Sequence, residues 1–453
     1  MVEGETAAAK PAKKSKRVVI AAVLIVLLLV FVILFFYSLS SGTLPVQEIQ
    51  KTETGFTPTN TSAAPVALPQ SPNSDSRFGF VNAGQDFIGI AKFGIGWDRP
   101  FPGPFNWQDI QDGNYGATDT YVKEAQKHDF AIVAIIWPYW DQDQALCHAE
   151  ELPAIQFGKY FGELADKRGT PCGHDKYAKF IANLVERYDG DGKDDMPGLR
   201  YGVKYWEVAS EPNTQNRPSG IVYFQGKPKD YVAMLKETAS AIKAADPEAK
   251  VLNGGAATAS AGSLSFWDSF FGFGGGRYID IFSMHCLDCD ESLGVQPYQT
   301  MLASNNLQIP IWVTDVSYFG SDDEQAKNLY RGYITGFGSG VEKIFYDKWQ
   351  IRAGGREELA ALKTSSQDRI ALNTTAALIK KLGGFKKAKD LGNGEYEFYF
   401  AEGHERFALL KPLELQPVLQ GNLKMTAYDG IDTIRYNIRN VDSATVPVII
   451  EAV

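Results

Sequence analysis

Between residues 77 and 389 the chain alternates short apolar runs with amphipathic segments, and few folds accept that pattern. "FAIVAIIW" (130–137) is an uninterrupted apolar run of the kind a strand shows when both of its faces are covered. "TDTYVKEAQKH" (118–128) precedes it with helical spacing. "DKYAKFIANLVERY" (175–188) repeats apolar residues at three- and four-residue intervals, and "YGVKYWEVAS" (201–210) follows as a strand. The alternation continues with "YVAMLKETASAIKAA" (231–245) as helix, then "KVLNGG" (250–255), "IDIFSMH" (279–285) and "IPIWVTDVS" (309–317) as strands. "EQAKNLYRGYITGF" (324–337) is helix, "VEKIFYDKW" (341–349) strand, and "RIALNTTAALIKKLGGF" (369–385) a closing helix with a Gly-Gly stop. With "RFGFVNA" (77–83) as the first strand and "KFGIGW" (92–97) as the second, eight strands result. The spacing predicts a (β/α)8 barrel, an α/β fold. A doubly wound sheet is the alternative, but it calls for an early Gly-rich phosphate loop that the sequence lacks.

The segments around this barrel have different textures. Val18–Tyr37 is uncharged and apolar for twenty residues, long enough to span a bilayer core. Lys10, Lys13, Lys14, Lys16 and Arg17 stand just before it. The positive-inside rule keeps residues 1–17 cytoplasmic and sends the remainder outside, which places the protein on the cell membrane as a single-pass anchor. A cleaved signal peptide is the competing reading; its apolar region is shorter and ends in a small-x-small site. Residues 38–76 are rich in Ser, Thr, Pro and Asn and read as a flexible linker. After 389 the helical pattern stops. "YEFYFAEG", "RFALLKP", "KMTAYDG", "TIRYNIRN" and "TVPVIIEAV" predict a small β-rich domain over 390–453.

Net charge is −9 across 453 residues, which argues against a nucleic-acid partner. The four cysteines are Cys147, Cys172, Cys286 and Cys289. An outward location permits disulfides, and the simplest pairing joins Cys147 to Cys172 and Cys286 to Cys289. Zinc competes, because His148, His174 and His285 lie beside these cysteines, but the spacings match no zinc pattern. No metal and no cofactor are expected. Asp288, Asp290 and Glu291 offer calcium ligands in principle; a solvated, disulfide-closed loop is the simpler reading.

In a barrel of this type, chemistry sits at the C-terminal ends of strands. Glu211 ends the fourth strand, His285 the sixth, Asp315 the seventh and Trp349 the eighth; Trp137 ends the third and Arg99 follows the second. Two carboxylates facing each other across an aromatic mouth are what glycoside hydrolysis needs. One acid protonates the leaving oxygen, and the other attacks the sugar or activates water. For Glu211 the plainer alternative is a buried salt bridge to Arg99; for Asp315 it is a loop cap. Glu207 points into the barrel as a structural group. Trp97, Trp137, Tyr139 and Trp140 serve either the core or a sugar-stacking mouth.

"YWEVASEPN" (205–213) resembles the fourth-strand segment of clan A glycoside hydrolases, whose general acid/base corresponds to Glu211. "PIWVTDVSY" is similar to the clan's seventh strand, whose nucleophile corresponds to Asp315. "IDIFSMH" resembles the sixth strand with its subsite histidine, His285, and Trp349 resembles the eighth-strand tryptophan under the sugar. The resemblance is strongest to the β-xylosidase and iduronidase branch and covers most of residues 77 to 450. It implies a carbohydrate substrate, bound also by Arg99, Trp137, Ser210 and Asn213. Three departures stand out: Ser210 replaces the clan's Asn, Asp315 replaces Glu, and Leu287 replaces a Tyr. Removing one methylene retracts a carboxylate by about 1.5 Å, and errors near 1 Å cost about a hundredfold in rate. Three functions therefore compete: a retaining hydrolase, an inverting one with Asp315 as base, and a catalytically silent barrel that binds glycans or a surface partner.

Overall fold

The structure is a computed structural model that describes residues 67–155, 164–214, 222–347, 369–401, 403–441 and 446–453. The expected tail, membrane span and most of the linker lie outside the described residues, as does Trp349. No helix among the described residues is long and apolar enough to cross a membrane.

Eight parallel strands form the first layer: β1 (Phe78–Val81), β2 (Trp97–Arg99), β3 (Ala131–Ile136), β4 (Tyr205–Val208), β5 (Lys250–Asn253, resuming at Ala256–Ala257), β6 (Phe282–Leu287), β7 (Ile311–Ser317) and β8 (Lys343–Tyr346). β1 pairs with both β2 and β8. The circle closes between β5 and β6, where Leu252 bridges to Ile281 and Asn253 clamps Ser283: its Nδ2 donates to Ser283 O at 2.8 Å, and its Oδ1 accepts from Ser283 N at 2.8 Å. A side chain thus completes the ladder where the Gly254-Gly255 break interrupts β5. The glycines around 94–96 likewise displace β2 from the expected 92–97, because Gly94 turns the chain at φ 81°.

Alternation along each strand sorts the side chains. Trp97, Val133, Leu252, Trp312 and Phe345 point inward at the N-terminal end of the barrel, with Tyr205 packed against them. Trp97 meets Trp312 edge-on at 5.4 Å, and Tyr205 stacks on Trp312 at 5.1 Å. Lys343 Nζ lies 4.6 Å from the Trp97 ring and donates to the carbonyls of Ser74 and Ser76 at 2.8 and 2.7 Å. The segment before β1 therefore closes the barrel floor, opposite the strand ends that carry the chemistry.

Helices including Gly116–Lys127, His174–Glu186, Pro228–Ala245 and Asp322–Gly338 cover the outside. The second layer is antiparallel: β9 (Lys387–Gly392), β10 (Glu395–Tyr399), β11 (Glu405–Leu409), β12 (Leu413–Ala427), β13 (Asp432–Val441) and β14 (Val448–Ala452), in the order β9-β10-β11-β14-β12-β13. It begins at Lys387, ahead of the expected boundary at 390. It docks on the barrel helix Asp322–Gly338: Tyr330 Oη donates to Thr426 O at 2.8 Å, and Phe385 packs 5.4 Å from Phe337 and 5.2 Å from Phe398.

Candidate active site

The turn after β4 is the most constrained backbone in the mouth. Ala209 and Glu211 have φ of 60° and 40°, a region that non-glycine residues occupy at a cost of about 1–3 kcal/mol each. Surrounding bonds hold it there. Thr214 donates to Glu211 O through N (3.1 Å) and Oγ1 (2.8 Å). Tyr231 Oη donates to Val208 O at 3.0 Å and accepts from Gly254 N at 2.7 Å. Asn213 reaches β5, donating to Ala257 O at 3.0 Å and to Ser263 Oγ at 2.8 Å while accepting from Ala257 N at 3.1 Å. The amide of Asn213, expected to bind substrate, fixes the turn that carries Glu211.

A connected polar cluster fills the barrel above its aromatic floor. Arg99, fully buried, donates to both oxygens of Glu207, through Nη2 at 2.7 Å and Nε at 3.0 Å. Arg99 and Glu207 thus form the buried ion pair between β2 and β4, and the Arg99 guanidinium, expected to bind substrate, lies fully buried. The reason is alternation: Trp97 and Arg99 on β2, and Tyr205 and Glu207 on β4, point inward together. Arg99 Nη2 also lies 3.2 Å from His285 Nε2. A guanidinium only donates, so Nε2 accepts, and the His285 proton sits on Nδ1. Nδ1 then donates to Glu211 Oε1 at 2.9 Å. Burial, followed by the neighbouring Arg99 charge, lowers the His285 pKa and keeps the ring neutral.

Asp315 arrives in the mouth by a bulge. Met284 on β6 pairs with Val313 and His285 with Asp315, so two residues of β7 oppose one step of β6. From inward Trp312, simple alternation sends Asp315 outward among the helices. The bulge turns both Thr314 and Asp315 inward; Thr314 Oγ1 meets Ser283 Oγ at 2.6 Å. Asp315 Oδ2 lies 3.5 Å from Arg99 Nη1, and its buried Oδ1 has no hydrogen-bond partner among the described residues. Burial raises the Asp315 carboxyl well above the usual range; the charges of Asp347, Glu211 and Glu207 add to this, and Arg99 opposes it.

Asp347 is a third carboxylate here, and the sequence reading passed over it. Its N–H donates to Val316 O at 2.7 Å, beside Asp315. The signal was the parity of β8, where Phe345 faces inward and so the residue two further on does too.

The aromatic residues divide differently from expectation. Trp97 belongs to the floor, and Trp137 is fully buried, its Nε1 donating to Pro102 O at 2.6 Å. Tyr139 is also buried, and its Oη donates to Tyr223 O at 2.6 Å. Phe101, not singled out from the sequence, is half-buried above Arg99 at 5.5 Å, with Trp137 and Tyr223 at 6.0 and 5.6 Å. Ser210 beside Glu211 is buried, and its Oγ lacks a partner among the described residues.

Cys147 is bonded to Cys172 and Cys286 to Cys289. The Cys147, His148 and Cys172 donors cluster as a zinc ligand set does, but both sulfurs are oxidised in this pair.

No family model matches this sequence, and none of the curated proteins does. Solved structures do. A family 39 glycoside hydrolase from the gut symbiont Bacteroides cellulosilyticus superposes with a TM-score of 0.59 at 16% identity, over 85% of this chain and 83% of that one. A glucosidase from Croceicoccus marinus gives 0.52 at 14%, over 84% and 83%. A family 30 endoxylanase from Clostridium papyrosolvens gives 0.51 at 12%, over 85% and 98%. At these identities the likeness is one of architecture, and the conclusion it supports is that this chain shares the fold of these solved glycoside hydrolase structures.

Proposed function

We propose that the protein is a glycoside hydrolase that cleaves O-glycosidic bonds with two carboxylates, Glu211 as acid/base and Asp315 as nucleophile, with retention of anomeric configuration. The observation that carries this reading is the convergence of Glu211 and Asp315 on one mouth through His285 and Arg99. His285 Nδ1–H donates to Oε1 of Glu211 and orients the carboxyl that is to protonate a leaving oxygen. A strained turn and a bulge aim the two acids inward, and such features recur at active sites.

The test is hydrolysis of an aryl-glycoside panel by the full chain, beside Glu211→Gln and Asp315→Asn. Turnover that both substitutions abolish supports the reading; turnover that survives either removes that residue from it. The anomer released first, followed by NMR, decides between retention and inversion.

One observation favours a silent, glycan-binding barrel instead. Burial pushes the Asp315 carboxyl up, against the ionised form a nucleophile needs, and its Oδ1 has no donor among the described residues. Glycan binding with no turnover on any panel member establishes that alternative.

The proposal extends to location. Residues 18–37 anchor the chain, residues 1–17 stay in the cytoplasm, and residues 38–76 link the anchor to a barrel outside the cell. The charge asymmetry around the apolar run and two cysteine pairs suited to an oxidising compartment support this. Barrel digestion by protease added to intact cells tests it.

A further inference from the structure

Asp315 is placed by its backbone rather than by bonds of its own carboxylate. Among the described residues its Oδ1 has no hydrogen-bond partner, and its Oδ2 meets Arg99 Nη1 at 3.5 Å, longer than an ordinary hydrogen bond. A carboxylate held this loosely has to be aimed by the strand that carries it, and that strand has one residue too many. Against β6, Met284 pairs with Val313 and His285 with Asp315. Against β8, Ile344 pairs with Val313 and Tyr346 with Val316, so three steps of β7 span two of β8. Both neighbours meet the irregularity at the same place, so it belongs to β7. Thr314 is fully buried within it, and its Oγ1 lies 2.6 Å from Oγ of Ser283, also fully buried. Ser283 is fixed in turn by the Asn253 amide, which accepts from its N and donates to its O, both at 2.8 Å. The later ties, from Asp347 N to Val316 O at 2.7 Å and from Asp288 N to Ser317 O at 2.8 Å, hold β7 beyond Asp315. The hydroxyl pair is the tie at the extra residue itself. With Thr314 pinned inward, the bulge has to fall between Thr314 and Asp315. Without the pin it can move along the strand and carry Asp315 off the level of Arg99.

We infer that Thr314 is the positioning residue for Asp315: its hydroxyl, tied to Ser283, anchors the bulge of β7 that sets Asp315 beside Arg99. The effect on turnover rests on the proposed role of Asp315 as nucleophile; the effect on where Asp315 stands does not. Thr314→Val keeps the branched shape and removes the hydroxyl, which also leaves Ser283 Oγ buried without its partner. Thr314→Ser keeps the hydroxyl. Ser283→Ala removes the same bond from the other side.

The test combines crystal structures with steady-state kinetics on aryl glycosides, using the full chain as wild type and as these three variants. In Thr314→Val the Asp315 carboxylate is expected to move by about 1 Å or more, and kcat to fall about a hundredfold, the rate cost of an error of that size. KM changes far less, because the loss falls on the chemical step. Ser283→Ala reproduces both effects, and Thr314→Ser stays near wild type in both. If Thr314→Val does not fold, Ser283→Ala decides. The control is Thr238→Val. Thr238 Oγ1 lies 2.6 Å from Tyr177 Oη between two helices outside the barrel, so this variant also loses a buried hydroxyl pair. It is expected to lose stability and keep kcat. An Asp315 that stays in place in folded Thr314→Val or Ser283→Ala overturns the inference. So does a displaced Asp315 with wild-type kcat, or an equal loss of kcat in Thr238→Val. The hydrolase reading is separable. Displacement of Asp315 in a protein that hydrolyses nothing sinks only the hydrolase reading. Hydrolysis by a Thr314→Val variant with Asp315 unmoved sinks only this inference.

Discussion

Arg99 Nη2 lies 3.2 Å from His285 Nε2, and this contact decides which ring nitrogen of the histidine carries its proton. The consequence passes to Glu211, which receives Nδ1–H on Oε1 at 2.9 Å. A fully buried arginine thereby orients the proposed proton donor. Glu211→Gln is expected to lower kcat by about 10²–10⁴-fold, the usual worth of a positioned acid/base. Substrates with good leaving groups, which need less protonation, lose less. A uniform loss across leaving groups points to Glu211 as a positioning residue.

As the proposed nucleophile, Asp315 is expected to set the acid side of the pH profile. A protonated Asp315 neither attacks a sugar nor activates water. Its carboxyl is raised by burial, then by Asp347, so it takes up a proton at a pH well above the usual carboxylate range. Turnover therefore falls as pH drops through that raised value. Asp347→Asn removes one raising charge and moves the acid limb of kcat/KM to lower pH. An unmoved limb in a folded, active Asp347→Asn variant separates the two carboxylates.

The Arg99–Glu207 pair has both side chains fully buried. Removing one partner strands the other charge, at a cost of about 3–5 kcal/mol. Arg99→Met is expected to lose that much in urea denaturation, and Arg99→Met with Glu207→Met to recover a large part of it. A single-variant loss below about 1 kcal/mol means that water reaches the pair.

Gly255 gives His285 its room. A Cβ at 255 falls 1.9 Å from His285 Nε2. Gly255→Ala must push the imidazole off Arg99 and Glu211, so stability drops by about 1–3 kcal/mol, as for other overpacked sites. Turnover falls with it. Wild-type activity in this variant indicates that the histidine has slack and that its position matters little.

Much of the fold was legible in the order of residues. Strand and helix periods are local, so the alternation from 77 to 385 gave the barrel, and the filter of strand ends picked out Glu211, His285 and Asp315. Glycine breaks shifted β2 and split β5, because a turn at φ 81° or a Gly-Gly pair overrides an apolar run.

The sequence by itself determined which residues stand at strand ends. Only the tertiary structure decided which way they face and whom they meet. Asp315 turns inward because β7 bulges against β6, and a bulge is a property of two strands rather than of either one. Arg99 pairs with Glu207 because β2 and β4 present those side chains at one level inside a closed circle. Asp347 joins the mouth through the register of β8. These contacts join residues about thirty positions apart or more, and Arg99 and Glu207 are 108 apart. Local periodicity carries no information about them.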